Sequence, residues 1–276
     1  MTRHKVGFIG GGNMARAIAG GLTRSGYGAG NILIAEPDTG QQERLRREFP
    51  DTLITGDNCE VAAEAGNLLL AVKPQILRDV CRGLKDVAQQ HKPMIISIAA
   101  GPTVADIDGW LGGGLEIVRV MPNQPALIDQ GIAALYANER TDEFGRILAE
   151  KVMSAVGRVV WIGEESLLDA VTAVSGTGPA YVYLLIDMMI DAGVELGLTP
   201  EVARTLAVET ARGAAMLAAI EKESMGSLID RVRSPGGTTT AAFDSLDAAN
   251  VRGIFAAAIR AARDRATALA GEARTN

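Results

Sequence analysis

Short apolar runs alternate with helical stretches through the first 160 residues, and this alternation stops near residue 165. Val6-Gly7-Phe8-Ile9, Ile32-Leu33-Ile34-Ala35, Asn67 to Val72, Met94 to Ile98, Ile117 to Val120 and Val159 to Ile162 are the runs. Helical patterns lie between them, first over Asn13 to Ser25 and then through Gln41 to Glu48. Continuous apolar runs bounded by polar, Gly or Pro residues fit strands covered on both faces, as in a parallel sheet flanked by helices. Strand–helix repetition of this kind predicts a doubly wound α/β sheet. Beyond residue 165 the chain reads as helix almost to its end. Ser166 with Asp169 resembles a capping box, and Thr199-Pro200-Glu201 supplies a cap, a first-position proline and a first-turn acid. Behind Asn250, the residues Val251, Ile254, Phe255, Ala258, Ile259 and Ala262 form one apolar stripe. The expected division is an α/β domain over residues 1–165 and an all-α domain over residues 166–276.

Gly10-Gly11-Gly12-Asn13-Met14-Ala15 follows the first strand and opens the first helix. In this G-x-G-x-x-A form, the first glycine permits the tight turn and the second lets the backbone approach a pyrophosphate. Ala15 keeps helix and strand close, and the helix N-terminus offers N–H donors to the anion. The motif in this context predicts a dinucleotide site. Glu36 ends the second strand, where an acid holds the adenosine ribose hydroxyls and repels a 2′-phosphate, which favours NADH. Arg16 in the first helix could instead neutralise a phosphate, so the local residues leave the choice between NADH and NADPH open.

The usual proton donors of carbonyl reduction are scarce. His4 and His91 are the two histidines, and each lies just before a strand, away from the carboxyl ends where such sheets bind ligands. A cyclic imine removes the need, because its nitrogen is protonated before hydride arrives at carbon; the protein then has mainly to orient the ring. Ser234-Pro235-Gly236-Gly237-Thr238-Thr239-Thr240 combines a glycine-rich turn, hydroxyls and a following helix. It reads either as an anion nest for a carboxylate or as an ordinary helix cap. Ser175-Gly176-Thr177-Gly178-Pro179-Ala180-Tyr181 reads either as a second shaped loop or as a tight helix junction.

Composition excludes other classes. A net charge of −6 opposes a broad nucleic-acid footprint, and 47% apolar with 22% charged residues is globular. Cys59 and Cys81 have no metal-like spacing and read as reduced thiols, so no metal is expected. Ala180 to Ile190, interrupted by Asp187, is too short for a bilayer span of ~20 residues. The expectation is a cytoplasmic protein with no membrane segment.

Together these motifs resemble pyrroline-5-carboxylate reductase, and the resemblance runs through nearly the whole chain in order. Phe8 to Ala15, including Ile9, Gly10, Gly11, Gly12, Asn13 and Met14, is similar to that family's cofactor loop. Ala71-Val72-Lys73-Pro74, Ser97 to Gly101 with Ala100, and Met121-Pro122-Asn123 resemble its strand-end segments around nicotinamide and ribose. Asp169 to Tyr181 resembles its interdomain signature, and Ser234 to Thr239 its substrate loop. The resemblance implies an N-terminal Rossmann-like doubly wound sheet followed by an all-α C-terminal oligomerisation domain. It implies NAD(P)H-dependent reduction of 1-pyrroline-5-carboxylate to L-proline, and inclines the cofactor to NADPH with NADH as the alternative. The implied substrate residues are Ser234, Gly237, Thr238, Thr239 and Glu165, with Glu165 toward the ring nitrogen and Thr239 as the catalytic residue. Asn58 would approach the adenosine ribose. A homodimer or ring of dimers through the C-terminal helices is implied as well.

Departures from the family pattern are Gln124 for a Thr after Met-Pro-Asn, and Glu221, Lys222 and Met225 before the substrate loop. Glu36 stands where some relatives have serine. A β-hydroxyacid-type dehydrogenase needs a lysine on the helix from Gly178 to Leu196, and that segment has none. A non-catalytic NAD(P)-binding regulator leaves the serine–glycine–threonine loops unexplained.

Overall fold

A computed structural model describes residues 4–275, with side chains through Glu272. Eight strands form one sheet in the order β3-β2-β1-β4-β5-β6-β7-β8. They are β1 (Val6–Ile9), β2 (Ile32–Ala35), β3 (Leu53–Thr55), β4 (Asn67–Leu70), β5 (Met94–Ser97), β6 (Ile117–Met121), β7 (Gly131–Ala137) and β8 (Gly157–Trp161). The first six are mutually parallel. The residues of β1, β2, β4 and β5 are all buried, as continuous apolar runs require when both faces are covered. One face packs Phe8, Ile34, Ile96 and Val118 against Ile18 and Leu22 of helix α1 (Asn13–Arg24). The other packs Leu33, Leu70 and Ile95 against Leu77 and Leu84 of helix α4 (Pro74–His91). Each such buried leucine or isoleucine contributes about 2 kcal/mol.

The sheet departs from a uniformly parallel arrangement at β7, which runs antiparallel to β6. The reason is the connection. A parallel return needs about a dozen residues or more, usually a helix. Here Pro122 to Gln130 holds only a short 3₁₀ turn, Gln124–Ile128, so the chain turns back beside its own strand. Helix α6 (Glu143–Ser154) then carries the chain to β8, parallel to β7. The run at Val159–Ile162 is therefore a strand, but it opposes the first six.

The remaining helices of this region are α2 (Thr39–Glu48), α3 (Asn58–Glu64), α5 (Val104–Trp110) and α7 (Leu167–Val171). Ser166 precedes α7 in helical backbone (φ −58°, ψ −24°) and makes no side-chain cap bond, so the expected capping box is absent. A π-helical turn, Thr172–Gly176, leads into α8 (Gly178–Glu195), with Pro179 in its first turn. The Ser175–Tyr181 segment is thus a helix junction, in which Ser175 Oγ bonds the Val171 carbonyl at 3.1 Å. Helices α9 (Pro200–Ile220), α10 (Met225–Val232), α11 (Thr238–Ala248) and α12 (Val251–Thr275) complete the chain. Thr199 caps α9, its side chain accepting from the Val202 amide.

Residues divide into two compact units, Met1–Gly176 with Ala262–Asn276, and Thr177–Ala261. In the second unit α8 packs along α9 and has no buried residue; Val182, Tyr183, Leu184, Leu185 and Met188 are about half exposed. The helical run Leu167–Glu195 is, by length and composition, apolar enough to cross a membrane. It exceeds the Ala180–Ile190 stretch considered from sequence because the π turn continues the helix. Cys59 is exposed, whereas Cys81 is buried and its thiol is pushed up to about 12 by desolvation.

Candidate active site

Six parallel strands present their carboxyl ends along one sheet edge, and the order β3-β2-β1-β4-β5-β6 reverses direction between β1 and β4. A crevice at that switch point is where open α/β sheets bind ligands. Ile9 ends β1, and its carbonyl accepts from the Ala71 amide at 2.9 Å, which brings the loops after β1 and β4 together. Gly10 has φ +99° and donates to the Ala35 carbonyl at 2.8 Å. A Cβ on Gly10 would lie 2.9 Å from the Ala71 carbonyl oxygen, and one on Gly11 would lie 2.5 Å from Leu45 of α2. Gly12 is different. A Cβ there meets nothing within 4 Å, and its φ of −69° is open to any residue. The fold places no demand for glycine at position 12, and the space beside it is open. Gly12 precedes α1 without a side-chain cap, leaving the first-turn amides from Asn13 and Met14 available. This arrangement fits a pyrophosphate.

At the end of β2, Glu36 turns back over this loop. Its Oε2 accepts from the Gly11 amide at 2.8 Å and its Oε1 from the Asp38 amide at 3.1 Å. The Glu36 amide donates to Thr55 O at the end of β3, and Asn58 opens α3 just beyond, so the acid and Asn58 share this end of the edge. Arg16 does not serve as a free cation here: its guanidinium pairs with Glu48 at 2.6 Å.

The other strand-end residues fall on the same edge. Ala71 and Val72 follow β4, exposed Lys73 precedes α4, and Pro74 is the first residue of α4. Ala100 follows β5, half-buried. Asn123 follows β6, and its Oδ1 accepts from the Ile132 amide at 3.0 Å, which fixes its orientation at the β6–β7 turn. Glu165 lies beyond β8; its Oε1 accepts from Arg119 Nη1 at 2.8 Å and from the Val104 amide at 2.7 Å. Sequence reasoning missed Arg119, which sits inside β6 and is only 5% exposed. A charged residue within an otherwise apolar strand was the available signal. His91 ends α4 and borders a cleft with Asn67 and Met94 at the opposite, amino edge.

In the second unit, Ser234 to Thr240 form a compact turn into α11. The Gly237 amide donates to the Ser234 carbonyl at 3.0 Å and Thr240 Oγ1 to the same oxygen at 2.6 Å. A Cβ on Gly237 would press on Ser234 Oγ, which can rotate away, whereas Gly236 at φ +71° holds the backbone conformation of this turn that favours glycine. No side chain caps α11, and the amides of Thr238 and Thr239 lie in its first turn, where a helix has no internal acceptors. Arg233 ties the turn to α11 through Asp244 at 2.9 Å. Among the described residues no group of His, Cys, Asp and Glu gathers as a metal site.

Comparison with known proteins decides the family. The chain is 41% identical over 270 residues to pyrroline-5-carboxylate reductase of Pseudomonas aeruginosa, covering 98% of both. This chain belongs to the pyrroline-5-carboxylate reductase family. The pyrroline-5-carboxylate reductase dimerisation model matches residues 165–269, and a model described as NADP oxidoreductase, coenzyme F420-dependent, matches residues 5–101. A solved pyrroline-5-carboxylate reductase from Coxiella burnetii superposes with a TM-score of 0.91 at 39% identity, covering 98% of this chain and 99% of that one. The Plasmodium falciparum enzyme, solved with NADP bound, gives 0.86 at 28% identity, covering 98% and 99%. The apolar run Leu167–Glu195 falls within the reductase dimerisation match.

Proposed function

We propose that this chain catalyses the NAD(P)H-dependent reduction of 1-pyrroline-5-carboxylate to L-proline, the final step of proline biosynthesis. The observation that carries this reading is the uncapped start of α11 behind Ser234-Pro235-Gly236-Gly237, whose first-turn amides are open to an anion such as a carboxylate. The amides of Thr238 and Thr239 and the Thr239 hydroxyl hold that carboxylate, with Thr239 as the catalytic contact. Ser234 and Gly237 shape the turn. Glu165 is the proposed partner of the ring nitrogen. The nicotinamide cofactor, when bound, supplies the hydride. Because the imine nitrogen carries the proton, no histidine is needed at the carboxyl edge.

Residues 1–165 serve as the dinucleotide-binding domain. Ile9 to Met14 take the pyrophosphate, Glu36 and Asn58 the adenosine ribose, and Ala71 to Pro74, Ala100 and Asn123 the nicotinamide end. Residues 166–276 are the proposed substrate-binding and dimerisation domain, of which residues 177–261 form the separate compact unit and the rest packs with the first. The exposed apolar face of α8 supports a homodimer, or a ring of dimers, through these helices in a cytoplasmic enzyme.

The test is direct. Purified protein given pyrroline-5-carboxylate should oxidise NADPH or NADH, with no turnover of a hydroxyacid pair; silence with both cofactors would refute the assignment. Thr239→Ala should lower kcat/KM by about 1–3 kcal/mol, the worth of a hydrogen bond to a charged group. An unchanged value would remove Thr239 from the site.

NADPH is the proposed physiological cofactor. Glu36 opposes it, since its carboxylate lies at the ribose end of the site. Glu36→Ser removes that charge and should raise the NADPH:NADH ratio of kcat/KM roughly tenfold, about 1.4 kcal/mol. A constant ratio would mean that Glu36 does not face the ribose.

A further inference from the structure

Arg119 occupies the middle of β6, paired with Ser97 on one side and Tyr136 on the other, in a strand whose neighbours Ile117, Val118 and Val120 are buried. Its side-chain nitrogens are spent unusually. Nη1 donates to Glu165 Oε1 at 2.8 Å, Nη2 contacts the Gly101 carbonyl at 3.5 Å, and Nε is buried without a protein acceptor. An ion pair whose cation is buried with an unsatisfied donor is a poor stabiliser, and apolar residues of equal volume often do as well or better. What apolar residues cannot do is hold polar backbone. Here the pair grips two backbone groups of one turn: the Gly101 carbonyl through Arg119, and the Val104 amide through Glu165 at 2.7 Å.

That turn joins β5 to α5 at the carboxyl edge of the sheet. Gly101 adopts φ +104°, and its Cα side faces the backbone of Leu269 and Ala270 in α12, 3.5 Å from where a Cβ would lie. Thr267 in the same part of α12 donates to Asp169 at 2.7 Å. The turn is therefore gripped from the sheet by Arg119 and Glu165 and covered by the end of α12. Such anchoring fixes the shape of a wall against which a ligand packs.

We propose that Arg119 is a positioning residue for the reaction: through Gly101 and Glu165 it holds the Ala99–Val104 turn in the shape that receives the nicotinamide half of the cofactor. This rests on the reading that Ala100 lines the cofactor site, and the experiment separates the two. Hydrogen exchange of amides 98–104 is followed with and without NADPH, alongside NADPH Kd by fluorescence, kcat and KM, and the urea unfolding midpoint. Parent protein, Arg119→Met, Arg119→Lys and Arg119→Met/Glu165→Gln are compared.

NADPH should slow exchange of 98–104 in the parent. Arg119→Met should weaken NADPH binding on the order of 10- to 100-fold, the scale of an ångström of misplacement, and lose that protection. Arg119→Lys, which keeps the charge and one arm, should fall between the two. The double variant removes the half-buried carboxylate left without its cation, so its unfolding midpoint should return toward the parent while cofactor affinity stays low. If the double variant regains both together, the role is structural and the proposal fails. An unchanged Kd in Arg119→Met, with protection retained, overturns it equally. Absent protection in the parent overturns the placement of Ala100 first, and the proposal with it. Should Arg119→Met not fold, the lysine and double variants carry the same comparison.

Discussion

An aspartate in place of Gly12 is expected to cut NAD(P)H affinity by at least about 100-fold while the unfolding midpoint holds or rises. The two effects separate because position 12 is empty of protein contacts and has an ordinary backbone conformation. Aspartate is a favoured residue before a helix, and α1 has no side-chain cap now, so the new carboxylate can accept from its first-turn amides. The same carboxylate then sits where the pyrophosphate would bind. Like charges about 4 Å apart near a protein surface repel by about 4 kcal/mol each at an effective dielectric of ~20. Fluorescence titration of NADPH and urea unfolding measure the two quantities independently. Affinity within threefold of the parent would mean that this loop does not hold the dinucleotide.

A second large effect concerns the fold alone. Gly157→Ala should destabilise the protein by about 3–5 kcal/mol, combining backbone strain with overpacking. Gly157 starts β8 opposite Gly131 of β7, with φ +154°. A Cβ there would overlap the carbonyl of Gly131 and lie 2.6 Å from its amide nitrogen, and backbone cannot swing aside as a side chain can. Moving Gly131 is resisted in turn, because the Val156 carbonyl accepts its N–H at 3.0 Å and Ala126 lies against its Cα. Urea unfolding at fixed protein concentration reads the change, since oligomers make apparent stability depend on concentration. A loss below about 1 kcal/mol would show that the β7–β8 pairing yields easily.

Much of this architecture is legible in the residues. Strands buried on both faces announce themselves as unbroken apolar runs, which is why β1, β2, β4, β5 and β6 are visible in sequence. β3 is not, since three residues with only Ile54 buried carry no pattern. β7 is hidden for another reason: Gly-Ile-Ala-Ala-Leu-Tyr-Ala is alanine-rich and reads as readily as helix. Its reversed direction depends on the length and prolines of the preceding connection, a cue separate from periodicity. In the candidate site, Gly10, Gly11 and Gly12 look alike in sequence, yet the fold crowds the first two and leaves the third open. Arg119 and Glu165 lie 46 residues apart, and no local pattern links them. The Ser166 capping box failed because helical backbone at Ser166 leaves its hydroxyl unable to reach the first-turn amides.

The return of residues 262–276 to the first compact unit has a consequence for how the protein is made. Translation delivers this stretch after the whole of Thr177–Ala261, so the nascent first unit waits with the Gly101 turn uncovered. Domains generally fold as they emerge. Here the final fitting of α12 over that turn is postponed until residues 177–261 have been made. A change at Leu269 or Ala270 would therefore act on a turn some 170 positions upstream, at the edge of the sheet where the chemistry is proposed to occur.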